Sequence, residues 1–219
     1  GEKLFQAQAK ASKVPLVIAS WQNASWDFSL YSEGFLYSTR IDDKKAQKLI
    51  PLTDMADKTP MEPAYLSIAD FLANEKNVPA GKISPFHLAD SLEAVCNQAL
   101  KDVNGIKPSK NVDLLYEVSD IKTWANLGLY FSNKLRAAVE YKRFKTSNEA
   151  KDLEKSVEWL TKATENWHAL VEATTPVYKP VPLTHFCENE GEPKDLPFHW
   201  SIVEKEVIDE LEWLKAQAK

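Results

Sequence analysis

DIKTWANLGLYFSNKLRAAVEYKRFKTSNEAKDLEKSVEWLTKATENWHALVEATT, residues 120–175, is the stretch whose reading decides the fold. Its first half carries two apolar stripes at helical spacing. Ile121, Trp124, Gly128, Phe131, Leu135 and Ala138 make one; Leu127, Tyr130, Ala137, Tyr141 and Phe144 make the other. A helix with two apolar stripes packs on more than one side. The spacing predicts a long helix over roughly 112–145. Its second half carries Leu153, Val157, Leu160, Thr164, Trp167 and Val171 at alternating steps of four and three, a seam for an antiparallel neighbour. Thr146-Ser147-Asn148-Glu149 between them has the spacing of a capping box. A link this tight pairs the two helices antiparallel.

Working outward, Ser84-Pro85 reads as the start of another helix, with serine at the cap and proline where its missing N–H costs nothing. Leu88, Leu92, Val95, Ala99 and Val103 share its inner face, and Asn104-Gly105 ends it. Leu66, Ile68, Phe71 and Leu72 place a short helix over 65–74. At the far end, Trp200, Val203, Val207, Leu211 and Leu214 define a last helix over about 198–216; Glu204, Glu206, Asp209, Glu210 and Glu212 are read as its water face. The fold expected is mainly α: a bundle of about five helices with a long antiparallel pair, plus a short extended N-terminal segment. The extension is VPLVIAS (14–20), apolar and β-branched. Residues 1–13 read as a short helix or a frayed lead-in. Residues 1–63 then form an extended, aromatic segment packed on a bundle domain over 64–219. No period near 34 residues repeats, so a solenoid is not supported. The proline-rich stretch 174–197 reads as a long loop, functional or laid over the core.

Composition bounds the function. The chain has 219 residues, enough to bury about 70% of its unfolded surface without disulfide or metal support. A net charge of −5 offers no general field for nucleic acid. No apolar run approaches the roughly 20 residues of a membrane span. No signal peptide opens the chain. The leading Gly1 reads as a cleavage remnant, which leaves open a mature form or an excised domain. Six glycines are few and seven tryptophans many, so phosphate-cradling loops are scarce, and the aromatics make either a heavily aromatic core or an aromatic binding face. No cofactor is expected: nucleophile elbow, P-loop, dinucleotide fingerprint and HExxH are all missing from the sequence. No metal is expected either, since His185-Phe186-Cys187 has no second pair at zinc-site spacing. Cys96 and Cys187 permit one disulfide in an oxidising compartment, and two free thiols are equally consistent.

The most unusual segment is Trp21–Leu36. It sets Asp27 and Glu33 among Trp26, Phe28, Tyr31 and Phe35. Sugar rings present C–H faces to aromatic planes and hydroxyls to carboxylates, so Trp21, Trp26, Asp27, Tyr31 and Glu33 are the candidate carbohydrate-binding residues. Asp27 and Glu33 are also the candidate catalytic pair of a glycosidase, which needs two carboxyl groups about 5–10 Å apart. The alternative is an apolar strap closing the bundle, with the two carboxylates capping backbone N–H groups. Trp124, Trp167 and Trp200 sit in core stripes by spacing, whereas Trp159 and Trp213 fall off them.

Taken together, WDFSLYSEGFLY (26–37), ISPFHLADSLEAVCNQAL (83–100), DIKTWANLGLYFSNKLRAAVEYKRF (120–144) and LEKSVEWLTKATENWHALVEATTPVY (153–178) give a pattern. It resembles the C-terminal helical region of large secreted bacterial proteins, glycoside-hydrolase-like or otherwise carbohydrate-active. The resemblance implies a larger parent protein with a sugar-processing catalytic domain N-terminal to this one. It implies that this chain is a non-catalytic accessory domain, and that its compartment is periplasmic or extracellular. It carries over no catalytic residue.

Overall fold

The computed structural model describes residues 1–22, 36–38, 47–108, 111–182 and 197–217. Among these, helices dominate: α1 (Glu2–Ala11), α2 (Val14–Gln22), α3 (Leu52–Asp57), α4 (Ile68–Ala73), α5 (Pro85–Val103), α6 (Val112–Ser147), α7 (Ala150–Thr174) and α8 (Glu204–Ala216). Two short antiparallel ribbons accompany them, β1 (Leu36–Ser38) with β2 (Gln47–Leu49), and β3 (Val181–Pro182) with β4 (Pro197–Phe198). The chain is therefore mainly α.

α6 is the spine. At 36 residues it is about 54 Å long. α7 runs back along it, α5 packs on a second side, and α1, α2, α3 and α4 add further contacts. Both predicted stripes are inside: Ile121, Phe131, Leu135, Ala138, Leu127, Tyr130 and Ala137 are all buried. One core cluster runs from Ala7 and Val14 through α5, α6 and α7 to Leu214. Gly128 sits where two neighbours close on the spine. A Cβ there would lie 2.4 Å from Cys96 Sγ on α5 and 2.9 Å from Val14 Cγ2 on α2. Cys96 is a free, buried thiol. Burial first, and the charge of Glu93 second, push it up to about 12, so it stays protonated and inert. Cys187 lies outside the described residues.

Two expectations need correction. Residues 14–22 are helical, not extended. Val14, Ile18 and Trp21, at steps of four and three, are all fully buried, and Pro15 stands in the first turn, where a helix accepts it. A short apolar run fits either period, and packing against α6 decides it. The capping box at Thr146/Glu149 does not form. α6 continues through Ser147, Thr146 Oγ1 donates back to the Lys142 carbonyl, and Asn148 turns the chain with a left-handed φ of 57°. Ser147 supplies the local bonds instead, donating to Asp152 and accepting from the Glu149 N–H.

At α5 the expected cap is real: Ser84 Oγ accepts the His87 N–H, Pro85 follows, and Gly105 takes the positive φ beyond the helix end. The two termini make a paired test by urea unfolding. Ser84→Ala is expected to cost about 1 kcal/mol. Thr146→Ala is expected to stay within about 0.5 kcal/mol, since its hydroxyl caps nothing.

Buried charges tie the helices together. Arg136 on α6 bonds Asp90 and Glu93 of α5 and stacks on Trp159 of α7, 4.8 Å from the ring centroid. The basic end of α6 also finds partners, Lys142 with Asp57 and Arg143 with Glu75.

Candidate functional site

Of the five candidate ligand residues, Trp21 alone lies within the described residues. It closes α2 with its indole fully buried, tilted against Tyr65 at 6.5 Å between ring centroids, and its Nε1 has no hydrogen-bond partner among the described residues. Trp26, Asp27, Tyr31 and Glu33 lie outside the described residues, and so does the Asp27–Glu33 pair. His185 does too. Among the described residues no group of three or more His, Cys, Asp or Glu side chains could hold a metal ion. None of the described helices is long and apolar enough to cross a membrane.

The other tryptophans sort by depth. Trp167 is fully buried, edge-on to Tyr130 at 4.8 Å and to Trp200 at 5.6 Å, and its Nε1 donates to the Trp200 carbonyl. Trp124, Trp159 and Trp200 are part-buried against the core. Trp213 is 42% exposed, with its ring backed by buried Tyr141 at 5.8 Å.

Trp213 marks a groove of about 330 Å³ between α8 and the segment leading into α3. Leu49, Pro51, Leu52 and Thr53 form one wall; Glu206, Asp209, Glu210 and Trp213 form the other. The α8 wall follows from helical geometry, since 206, 209, 210 and 213 are spaced by three, one and three and share one face. The opposing wall is held by α8 itself. Glu206 Oε2 accepts the Leu49 N–H at 2.8 Å, and Glu210 Oε1 accepts the Leu52 N–H at 2.5 Å. Helical spacing alone puts Glu206 and Glu210 on a water face; in the structure they satisfy backbone N–H groups of Leu49 and Leu52.

Beneath the groove lies Lys134, 1% exposed on the inner side of α6. Its ammonium pairs with Glu210 Oε2 at 2.7 Å and donates to the Ile50 carbonyl at 2.8 Å and to the Tyr130 hydroxyl at 3.2 Å. All three of its N–H bonds are used. Burial alone would lower the Lys134 pKa, but the Glu210 carboxylate and the Tyr130 oxygen more than offset it, and the net direction is up. Burial pushes the Tyr130 phenol up to about 12. A charged lysine and a neutral tyrosine held this way are an anchor for residues 50–52, not an acid–base pair. Sequence reading passed over Lys134, although a cation three and four residues from two core positions was the available signal.

A histidine-centred turn sets the approach to α8. The last helix begins at Glu204, later than expected, because His199 makes a turn first. His199 is buried, and its Nδ1 accepts the Ser201 N–H at 3.2 Å. Burial holds its pKa below the ordinary histidine value, against a smaller opposing pull from the Thr174 backbone. A depressed folded pKa means that this contribution is complete above about pH 6.5 and is lost as pH falls. His168 has the opposite sign: its bond to Glu204 raises its pKa, so its contribution is present in acid and lost as pH rises. Urea unfolding between pH 7.5 and 5 is therefore expected to show a shallower acid-side loss in His199→Gln than in the parent chain.

A smaller cleft, about 140 Å³, lies between α1 and α6, with Glu117, Asp120 and Trp124 on the α6 side. Tyr178 donates to Asp120 at 2.5 Å, and this bond occupies its polar edge.

No family model matches the chain, and no curated protein matches it in sequence. Among solved structures, it is similar to a GH138 enzyme targeting pectin rhamnogalacturonan II, with a TM-score of 0.55 and 17% identity. The match covers 70% of this chain and 23% of that one, so the chain spans less than a quarter of that enzyme's length. At this identity the likeness is one of fold.

Proposed function

We propose that the chain is a non-catalytic helical accessory domain of a secreted polysaccharide-processing protein. The observation that carries this reading is the fold likeness itself. A bundle built on the α6–α7 pair matches a small part of a much longer polysaccharide-targeting enzyme. In this reading 64–219 is the bundle, 1–63 is the segment packed on it, and the catalytic domain lies N-terminal in the parent protein. The compartment is periplasmic or extracellular. The roles of Glu206, Glu210 and Lys134 support the non-catalytic part, since each is committed to holding backbone. The second reading is a carbohydrate-binding module using the Trp21–Glu33 segment. With Trp21 inside the core, its ligand face would be Trp26, Asp27, Tyr31 and Glu33.

Affinity electrophoresis in gels containing pectic polysaccharide, run beside a reducing-end assay, tests both. The expected result is retardation without release of reducing ends. Retardation abolished by Trp26→Ala would favour the second reading. Reducing ends that appear with the parent chain and vanish with Asp27→Asn would overturn both in favour of a hydrolase.

A further inference from the structure

We propose that the groove between α8 and residues 49–53 seats a neutral, hydroxyl-rich pyranose ring, stacked on Trp213 with its hydroxyls donating to Asp209 and Thr53. This rests on the carbohydrate reading above and adds the seat and the class of ring. Three observations carry it.

The first is shape and surface. The groove is of ligand size, and its walls combine apolar side chains with a few polar groups, the usual make-up of a small-molecule site. Trp213 is the exposed aromatic at its edge, and Tyr141 behind it holds the ring in place. A fixed indole face suits the C–H face of a sugar.

The second is the hydrogen-bonding character of the walls. Asp209 gives Oδ2 to Lys205, and Oδ1 has no partner among the described residues. Thr53 donates its own proton to Asp54, which leaves its oxygen to accept. The groove therefore offers acceptors, and its ligand must donate. Hydroxyls donate. A uronate carboxylate presents further acceptors to acceptors, a pairing that forms no hydrogen bond.

The third is charge. Asp209 pairs with Lys205, Glu210 with Lys134, and Glu206 accepts the Leu49 N–H, so the three wall carboxylates share their charge with partners and leave a modest negative field. The remaining carboxylate character still repels an anion. A neutral ring meets neither penalty.

The test uses the whole chain with methyl glycosides of galactose, rhamnose, galacturonic acid and glucosamine. Binding is read by saturation-transfer NMR and tryptophan fluorescence. At least one neutral glycoside should bind at least tenfold more tightly than the galacturonide. Trp213→Ala should weaken that binding at least tenfold, with an unchanged unfolding transition. Asp209→Asn, which leaves the exposed site folded and adds a donor, should narrow the neutral-to-uronide ratio severalfold. The proposal is overturned if the galacturonide binds as well as the neutral sugars, if glucosamine alone binds, if no glycoside binds, or if Trp213→Ala binds like the parent chain. Retardation in pectic gels that survives Trp213→Ala but not Trp26→Ala would remove the groove and leave the carbohydrate reading standing. Neither retardation nor glycoside binding would remove both.

Discussion

Lys134→Met is expected to destabilise the protein by about 3–5 kcal/mol, the range for breaking a buried ion pair by removing one partner. The methionine refills the aliphatic volume, so the loss is electrostatic. Without the ammonium, the Ile50 carbonyl loses this donor and Glu210 keeps a carboxylate with the Leu52 N–H as its remaining partner among the described residues. For a domain of this size that is a fall of roughly 10 °C in Tm, read by calorimetry or circular dichroism. Lys134→Met with Glu210→Gln should recover part of the loss at neutral pH. A Lys134→Met protein as stable as the parent would show that the pair does not anchor residues 50–52. The same variant should bind glycosides less well, since the wall facing Trp213 is the one it releases.

Gly128→Val is expected to cost about 3 kcal/mol, the upper part of the range for overpacking a filled core. The first added atom already meets Cys96 Sγ at 2.4 Å and Val14 Cγ2 at 2.9 Å, and the branched methyls have nowhere to turn. Gly128→Ala should cost less, because alanine's better helix propensity, about 1 kcal/mol, offsets part of the clash. Adding Cys96→Ala to Gly128→Ala should be more favourable than the sum of the two singles, since each removes the other's conflict. Urea midpoints of the four proteins close the cycle. Strict additivity would mean that the helices part without cost and that Gly128 is not what lets them close.

The long pair was legible because its cues are local. Two stripes on 121–144, one seam on 153–171 and a cap at Ser84 all follow from spacing along one chain. What sequence reading missed depends on partners distant in sequence. Residues 14–20 fit either period until α6 packs on them. Glu206 and Glu210 look like a water face until residues 49 and 52 arrive with unpaired N–H groups. His199 escaped notice because its partner is its own turn. The Trp21–Glu33 proposal rested on composition. Trp21 is core, whereas Trp213, the exposed one among the described tryptophans, stands on a helix where its charged neighbours disguise the groove.

The clasp between α8 and residues 49–52 also has a consequence for the order of assembly. α6 and α7 meet across a turn of a few residues, so their pairing needs little loop closure and can form early. The clasp joins groups 157 and 158 positions apart and closes a loop that contains α4 to α7. Its entropic cost is met only once the bundle has placed both ends. The groove is thus expected to form after the α6–α7 pair on folding and to open before it on unfolding. The amides of Leu49 and Leu52 should exchange with solvent well before those at the centre of α6.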